Sequence, residues 1–305
     1  MEHVTVKDLV LGSGGVLVSG RAEAPVSHIR LDSRQVEPGD LFVPLLGERV
    51  DSHRFLPQVM SQGAAAVLTS QELTLPEDGD GCAVIRVEDT KKALQKIGSY
   101  LRDRLTLPLV GVTGSVGKTT TREMIAAALS ARFRVYKTTE NDQVGVIELG
   151  MSEPGEMTVI AKIARVDMAV ITNIGITHIG QLGSQENILR EKLHITDGMK
   201  DGGLLILNGD DPLLKNVRGR EGLRTVYYGT GENCDFRAVD ICFEDGYPSF
   251  TAVHGADRQR VRLNVMGQHN VMNAMAAMAV CAECGMTMEE AARGLLTGQG
   301  FKNRQ

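Results

Sequence analysis

The distribution of apolar positions divides the chain near residue 108. Beyond that point short apolar runs alternate with longer amphipathic stretches. The runs at 109–112, 134–137, 144–148, 168–172, 204–207 and 225–228 read as strands, and 118–131, 156–165 and 184–199 read as helices. This alternation predicts an α/β domain with a mainly parallel sheet, and near-continuous apolar strands fit a sheet covered on both faces. Residues 234–265 alternate without a long helix, which predicts a small antiparallel addition. Gly267-Gln268-His269-Asn270 then leads into a helix of small and apolar residues ending near Gly285.

Ahead of Pro108 the pattern is looser. Strand-like runs occur at 39–45, 64–68 and 82–87, and Asp89-Thr90 opens an amphipathic helix with Ala93, Leu94, Ile97 and Leu101 on one face. Two domains are expected, at 1–107 and 108–305, as the length of 305 residues also suggests. One join breaks the pattern. The runs 134–137 and 144–148 both read as core strands, yet only 138–143 lies between them, whereas parallel neighbours need a crossover of roughly a dozen residues. Either the join is a tight hairpin or residues are absent there, and absence is the expected answer.

Charge and composition narrow the function. Lys and Arg total 33 against 38 Asp and Glu, a net charge of −5, which lacks the global field of a nucleic-acid binder. No apolar stretch approaches the roughly 20 residues of a membrane span. The start, Met1-Glu2-His3-Val4, lacks the layout of a signal peptide, so a cytoplasmic location is expected. Five scattered Cys fit reduced thiols, and Cys281 and Cys284, a C-x-x-C pair inside a helical run, read as core residues.

Candidate chemistry gathers where strands end. Thr113-Gly114-Ser115-Val116-Gly117-Lys118-Thr119-Thr120 stands between a strand and a helix, the setting of a phosphate loop. Its glycines would let backbone N–H groups face phosphate oxygens at a helix N-terminus. Lys118 would contact the β- and γ-phosphates and Thr119 would ligate Mg²⁺. The strict spacing fails by one place at Gly111, but the core from Gly114 to Thr119 is intact. Glu148 closes the next strand as either a solvated strand end or a metal ligand. His178, in the loop after 168–172, is either structural or a metal or phosphate contact. Asn208-Gly209-Asp210-Asp211 is either an Asx turn or a contact to a nucleotide sugar. By pattern alone Lys192 is a solvated helix lysine.

These motifs resemble a known family. The phosphate loop, the run Ile147-Glu148-Leu149-Gly150-Met151-Ser152-Glu153-Pro154-Gly155-Glu156, and Thr172-Asn173-Ile174-Gly175 through His178 to Gly183-Ser184 are similar to the Mur ligases of peptidoglycan synthesis. The run after Ile147 is most similar to members that join D-alanyl-D-alanine to a UDP-N-acetylmuramoyl-tripeptide. Asp32-Ser33-Arg34, Pro38-Gly39-Asp40-Leu41-Phe42-Val43 and Asp51-Ser52-His53-Arg54-Phe55 resemble the family's UDP-sugar-binding domain, in which Ser33 and Arg34 fall where the uridine-diphosphate end is held. Pattern alone makes those two an exposed turn. The resemblance implies an N-terminal UDP-sugar-binding α/β domain and a central P-loop NTPase-like domain, with the family's C-terminal domain absent from this chain.

The resemblance also implies roles residue by residue. The residues Thr113 to Thr120 would bind ATP, with Lys118 and Thr119 on the phosphates and Mg²⁺. Glu148 matches the carboxylate of the first of two Mg²⁺ ions, and His178 a ligand of the second. Lys192 matches the lysine that the family carbamylates with CO₂, turning a cation into an anionic metal ligand. His269, Asn270 and Asn273 match a nucleotide-contacting element, and Arg304 an interdomain arginine that meets the ribose. Two departures stand out: a family loop and helix are missing after Lys137-Thr138, and His194 stands where Glu is usual. The implied reaction is ATP-driven amide formation through an acyl phosphate, by a monomer, on UDP-N-acetylmuramoyl-tripeptide and D-alanyl-D-alanine. The alternatives are the family ligase that adds the third peptide residue, and a non-catalytic nucleotide-binding module.

Overall fold

Capping chemistry and apolar spacing explain where most elements begin. Thr5 and Asp8 form a reciprocal capping box at the start of α1 (Val6–Ser13), and the side chain of Asp89 accepts from Lys92 N at the start of α3 (Thr90–Asp103). The computed structural model of the chain describes residues 4–47, 50–73, 81–135 and 143–297. It divides into two units, Met1–Leu105 and Thr106–Gln305. Among the described residues no helix is long and apolar enough to cross a membrane.

The first unit holds α1, β1 (Val16–Ser19), β2 (Ile29–Arg30), β3 (Leu41–Phe42), α2 (Leu56–Ser61), β4 (Ala66–Thr69), β5 (Ala83–Arg86) and α3. The strands order as β1-β5-β4-β3-β2, with β1 antiparallel to β5 and the rest parallel. The apolar run at 39–45 contributes only the two residues of β3 as strand. Its flank is held by Asp40, whose buried carboxylate accepts from Arg30 Nε at 2.9 Å and Glu37 N at 3.1 Å and pairs with His28 Nδ1 at 3.0 Å.

The second unit is the predicted α/β domain. Its elements are β6 (Leu109–Thr113), α4 (Lys118–Leu129), β7 (Arg134–Val135), β8 (Gln143–Glu148), α5 (Glu156–Ala164), β9 (Met168–Ile171), α6 (Ile179–Leu182), α7 (Gln185–Leu193), β10 (Leu204–Asn208), β11 (Arg224–Gly229), β12 (Phe236–Glu244), β13 (Tyr247–His254), β14 (Asp257–Arg262), α8 (His269–Glu283) and α9 (Met288–Thr297). The strands order as β14-β13-β12-β11-β10-β9-β6-β8-β7, parallel from β7 to β12 and antiparallel from β12 to β14. Successive strand residues point to opposite faces, and both faces are buried. Val110, Val112, Ile206 and Val226 pack beneath α4 and α8, while Ala169, Ile171, Leu205 and Leu207 pack on the face shared with Met157 of α5 and Ile188 of α7.

One expectation is adjusted and one alternative falls away. The stretch 184–199 is an α-helix only through Leu193 and tightens into a 3₁₀ turn, His194–Gly198. The doubtful join is not a hairpin, because β7 and β8 run parallel with Arg134 opposite Gln143. The connection at 136–142 lies outside the described residues, as does Arg304.

Candidate functional site

Strand order places the candidate chemistry. β6 lies between β8 and β9, so the chain leaves it toward one side and later returns on the other, the switch point where open α/β sheets bind ligands beyond their strand ends. The turn from β6 into α4 stands there. Gly114 has φ +148°, and a Cβ on it would fall inside the Thr172 hydroxyl and 3.1 Å from Thr172 Cβ. Gly117 has φ +82°, and its Cβ would meet Asn273 Oδ1 at 3.3 Å. Glycine is required at Gly114 because the residue just beyond β9 presses against the turn, and favoured at Gly117 by its left-handed backbone.

The loop is tied down mostly by the segment just beyond β9. Ser115 N donates to Asn173 O at 3.0 Å, and Val116 N donates to Asn173 Oδ1 at 3.0 Å. Val116 O accepts from Thr172 Oγ1 at 2.7 Å and Asn173 Nδ2 at 2.9 Å, and Ser115 Oγ accepts from Gly175 N at 2.8 Å. The N–H groups of Ser115 and Val116 therefore shape the loop here rather than face a phosphate. Gly117 caps α4 without a side-chain bond, so the first turn of that helix carries backbone donors and the positive end of its dipole. Lys118 Nζ donates to Gly114 O at 3.0 Å, arching over the cradle.

Thr119 Oγ1 donates to Glu148 Oε2 at 3.0 Å, joining the first turn of α4 to the end of β8. The other carboxylate oxygen of Glu148 is 3.5 Å from Arg122 Nε, a cation one helical turn beyond Thr119. Lys192 of α7 is only 2% exposed. Burial pushes its amine down to about 8, with the nearby Lys118 cation acting in the same direction and Glu191 opposing them. A solvated helix lysine is thus not what the fold shows. Glu191 is buried as well, and its Oε1 accepts from Met157 N at 3.1 Å in the first turn of α5.

His178 leaves the same β9 loop and begins α6 with φ +66°, a left-handed conformation uncommon outside glycine. Among the described residues no hydrogen bond or ion pair joins it to Glu148 or Lys192. At the start of α8, Asn273 Oδ1 accepts from Thr121 Oγ1 at 3.0 Å, and Asn273 Nδ2 donates to Asn270 Oδ1 at 3.0 Å. The structure so brings Asn273 beside the phosphate loop and the first turn of α4, with Asn270 behind it and His269 at the same helix end. Asp211 is structural: its Oδ2 accepts from Ile174 N at 2.9 Å and its Oδ1 from Leu213 N and Leu214 N. Asp210 holds Thr230 and Gly231. Arg122, Glu191 and the amide of Asn173 went unassigned from sequence. Asn173 lay within a recognisable run, whereas the other two have no local signature.

In the first unit a cavity of about 630 Å³ is bounded by Asp32, Ser33 and Arg34 on one side and by Ser52, Arg54 and Phe55 on the other. Arg34 is paired with Asp32, Nη2 to Oδ2 at 2.6 Å, and that hydrogen bond holds the Asp32 carboxyl down at about 2. Ser33 is buried, and Arg54 lies over the Phe55 ring at 4.6 Å.

Comparison with known proteins decides the family. The Mur ligase middle domain matches residues 112–144 and 139–281, and the model described as Mur ligase family, catalytic domain, matches 25–101. The chain belongs to the Mur ligase family. Among its relatives, the UDP-N-acetylmuramoyl-tripeptide–D-alanyl-D-alanine ligase of Bacillus subtilis is 40% identical over 95% of this chain and 66% of its own length. The enzyme of that name from Escherichia coli is 30% identical over 90% of this chain and 64% of its own. A crystal structure of MurF from Acinetobacter baumannii superposes with a TM-score of 0.83 at 30% identity, covering 98% of this chain and 69% of that one. MurF ligase from Thermotoga maritima, solved in complex with ADP, gives a TM-score of 0.73 at 26% identity, covering 88% and 66%. This Mur ligase chain therefore spans about two thirds of the length of such relatives. The middle-domain match falls in two pieces that meet at the β7–β8 join.

Proposed function

We propose that the chain carries the nucleotide- and UDP-substrate-binding parts of an ATP-dependent ligase that joins D-alanyl-D-alanine to UDP-N-acetylmuramoyl-tripeptide. The observation that carries the reading is the glycine cradle under Lys118, with Thr119 bonded to Glu148 beside it. The names of the relatives at 40% and 30% identity supply the substrates. The split of the middle-domain match, and two parallel strands joined only by 136–142, support the reading that a family segment is missing there. Under this reading 1–107 serves the UDP end, through Ser33 and Arg34, and 108–305 serves ATP.

The residues suit Mg²⁺. Thr119 and Glu148 offer hard oxygen donors that already meet, and the cradle admits no side chain. Among the described residues no three His, Cys, Asp or Glu side chains form a ready metal cluster, so further oxygens would come from phosphates and water, as Mg²⁺ commonly accepts. When bound, Mg²⁺ supplies charge neutralisation at the transferring phosphoryl. The chain's own part is alignment. The first turn of α4 and Lys118 would hold the triphosphate, and Asn273 braces that turn through Thr121. The substrate carboxylate attacks the γ-phosphate, ADP leaves, and the amine of D-alanyl-D-alanine displaces phosphate from the acyl carbon. Phosphorylation is needed because a carboxylate would otherwise expel oxide.

Carbamylation of Lys192 belongs to the same proposal. An amine lowered from 10.5 to about 8 carries a far larger neutral fraction near neutral pH than an ordinary lysine, and that neutral amine can attack CO₂, giving the carbamate and a proton. The product would exchange a repulsion with Lys118 for an attraction. His178 would serve the second ion. The test is incubation with ATP, Mg²⁺, UDP-N-acetylmuramoyl-tripeptide and D-alanyl-D-alanine, with mass spectrometry for the pentapeptide and hydroxylamine trapping of the acyl phosphate. Neither product appearing, with nucleotide bound, would leave a nucleotide-binding module. Product with a diamino acid in place of the dipeptide would shift the assignment to the ligase of the third residue.

A further inference from the structure

Behind one wall of the first-unit cavity lies a chain of three polar side chains that none of the roles above uses. Asp51 ends a short bridge to Leu46 and caps the 3₁₀ turn Ser52–Phe55, which runs on into α2. Asp51 Oδ1 accepts from His53 N at 2.9 Å and lies 2.6 Å from His53 Nδ1, while its Oδ2 accepts from Gln71 Nε2 at 2.8 Å. His53 Nε2 in turn receives Ser70 N at 3.3 Å and lies 3.1 Å from Ser70 Oγ. Ser70 directly follows β4, so the imidazole links the cavity wall to the end of a central strand.

The tautomer follows from the partners. A backbone N–H can only donate, so Nε2 is the acceptor and the ring proton sits on Nδ1, donated to Asp51. The ring is nearly closed to solvent, with 5% of its side chain exposed, and both nitrogens are engaged. The order acid, imidazole, hydroxyl resembles a nucleophile relay. Here, however, the same Nε2 also takes the Ser70 N–H, and Ser70 does not line the cavity. The arrangement is built to hold a wall. Ser52, Arg54 and Phe55 of that wall, and Gln58 of α2, face the cavity. Apart from this relay the start of the wall is held by main-chain bonds, including Ser52 N to Leu45 O at 3.2 Å.

We infer that Asp51, His53 and Ser70 form a positioning relay that sets the cavity wall carrying Arg54 and Phe55, and with it the affinity for a nucleoside diphosphate. The ligand class rests on the proposed function; the relay itself does not. The experiment pairs hydrogen exchange by mass spectrometry with calorimetric titration of UDP, and of ADP with Mg²⁺ as control. His53→Ala speeds exchange over 51–55 and at Ser70 and weakens UDP about tenfold, the scale of one lost hydrogen bond, with ADP unchanged. His53→Gln, whose amide can still accept from Ser70 N, recovers part of both.

Unchanged exchange at 51–55 in His53→Ala overturns the inference whatever UDP does. Faster exchange at 51–55 in a protein whose wild type ignores UDP supports the relay and refutes the ligand reading instead. Should His53→Ala unfold, Asp51→Ala decides, since it removes the acceptor of the ring proton. Exchange at Ser70, which the Asp51 cap does not touch, must then rise, and no rise overturns the relay.

Discussion

Replacing Gly114 by Ala probes the cradle where its geometry is least forgiving. The new Cβ would fall inside the Thr172 hydroxyl, 3.1 Å from Thr172 Cβ and 3.2 Å from Thr172 N. Thr172 cannot yield cheaply, because it is buried and its hydroxyl bonds Val116 O at 2.7 Å. Holding a residue with a Cβ at φ +148° costs about 1–3 kcal/mol. Leaving a buried polar partner unpaired costs about 1–3 kcal/mol more. The total of roughly 2–6 kcal/mol compares with a usual domain stability of about 5–15 kcal/mol. In a domain of this size each kcal/mol lowers Tm by about 2–4 °C, so a fall of roughly 5–20 °C is expected. Differential scanning fluorimetry reads that fall, and a fluorescent ATP analogue reads the loss of the cradle. Adding Thr172→Ala removes the clashing oxygen and should return at least about 1 kcal/mol of coupling in a double-mutant cycle. If Gly114→Ala melts with the wild type and binds the analogue equally well, the close approach of β9 to the loop is not what makes glycine necessary.

Lys118→Ala should abolish hydroxylamine-trappable acyl phosphate while leaving Tm within about 1–2 °C, since the lysine bonds only one loop carbonyl; normal trapping would remove Lys118 from phosphoryl transfer. Lys192 makes stability rise with pH. Its amine, lowered to about 8 by burial first and Lys118 second, holds fewer protons folded than unfolded between that value and 10.5. Stability is accordingly reduced below pH 8 and gains on the order of 3 kcal/mol on going to pH 10. CO₂-free urea titrations should show this slope, and Lys192→Met should flatten it. Asp40 works in the opposite sense. Burial alone would raise its carboxyl, but Arg30, Glu37 N and His28 together bring it below the ordinary value. Its stabilisation is present above the unfolded value of 3.8 and fades as pH falls through the lower folded one. Asp40→Asn should therefore cost about 2 kcal/mol at pH 7, with the deficit closing at strongly acidic pH in urea unfolding curves of the first unit.

How much of this could be read without a structure depends on the range of the interaction concerned. Apolar runs at period two and 3.6 place β6, β9, β10 and α8 because each buries its own local pattern. The phosphate loop is legible for the same reason: its glycines, Lys118 and Thr119 are consecutive, and a strand before and a helix after suffice to give them meaning. Asp89 at the start of α3 is a signal contained within four residues. Tertiary structure alone decided what lies far apart in sequence. Glu148 reads as a metal ligand only by its nearness in sequence to a phosphate loop, until β8 pairs beside β6 and brings it to Thr119. Lys192 reads as a surface lysine until α7 packs it inside, where desolvation and a neighbouring cation change its protonation. Arg122, Glu191 and His53 take their significance from partners on other elements, Glu148, Met157 and Ser70. Local periodicity reports which side of an element faces away from water, but burial and charge at a site are sums over neighbours that only the folded sheet order brings together.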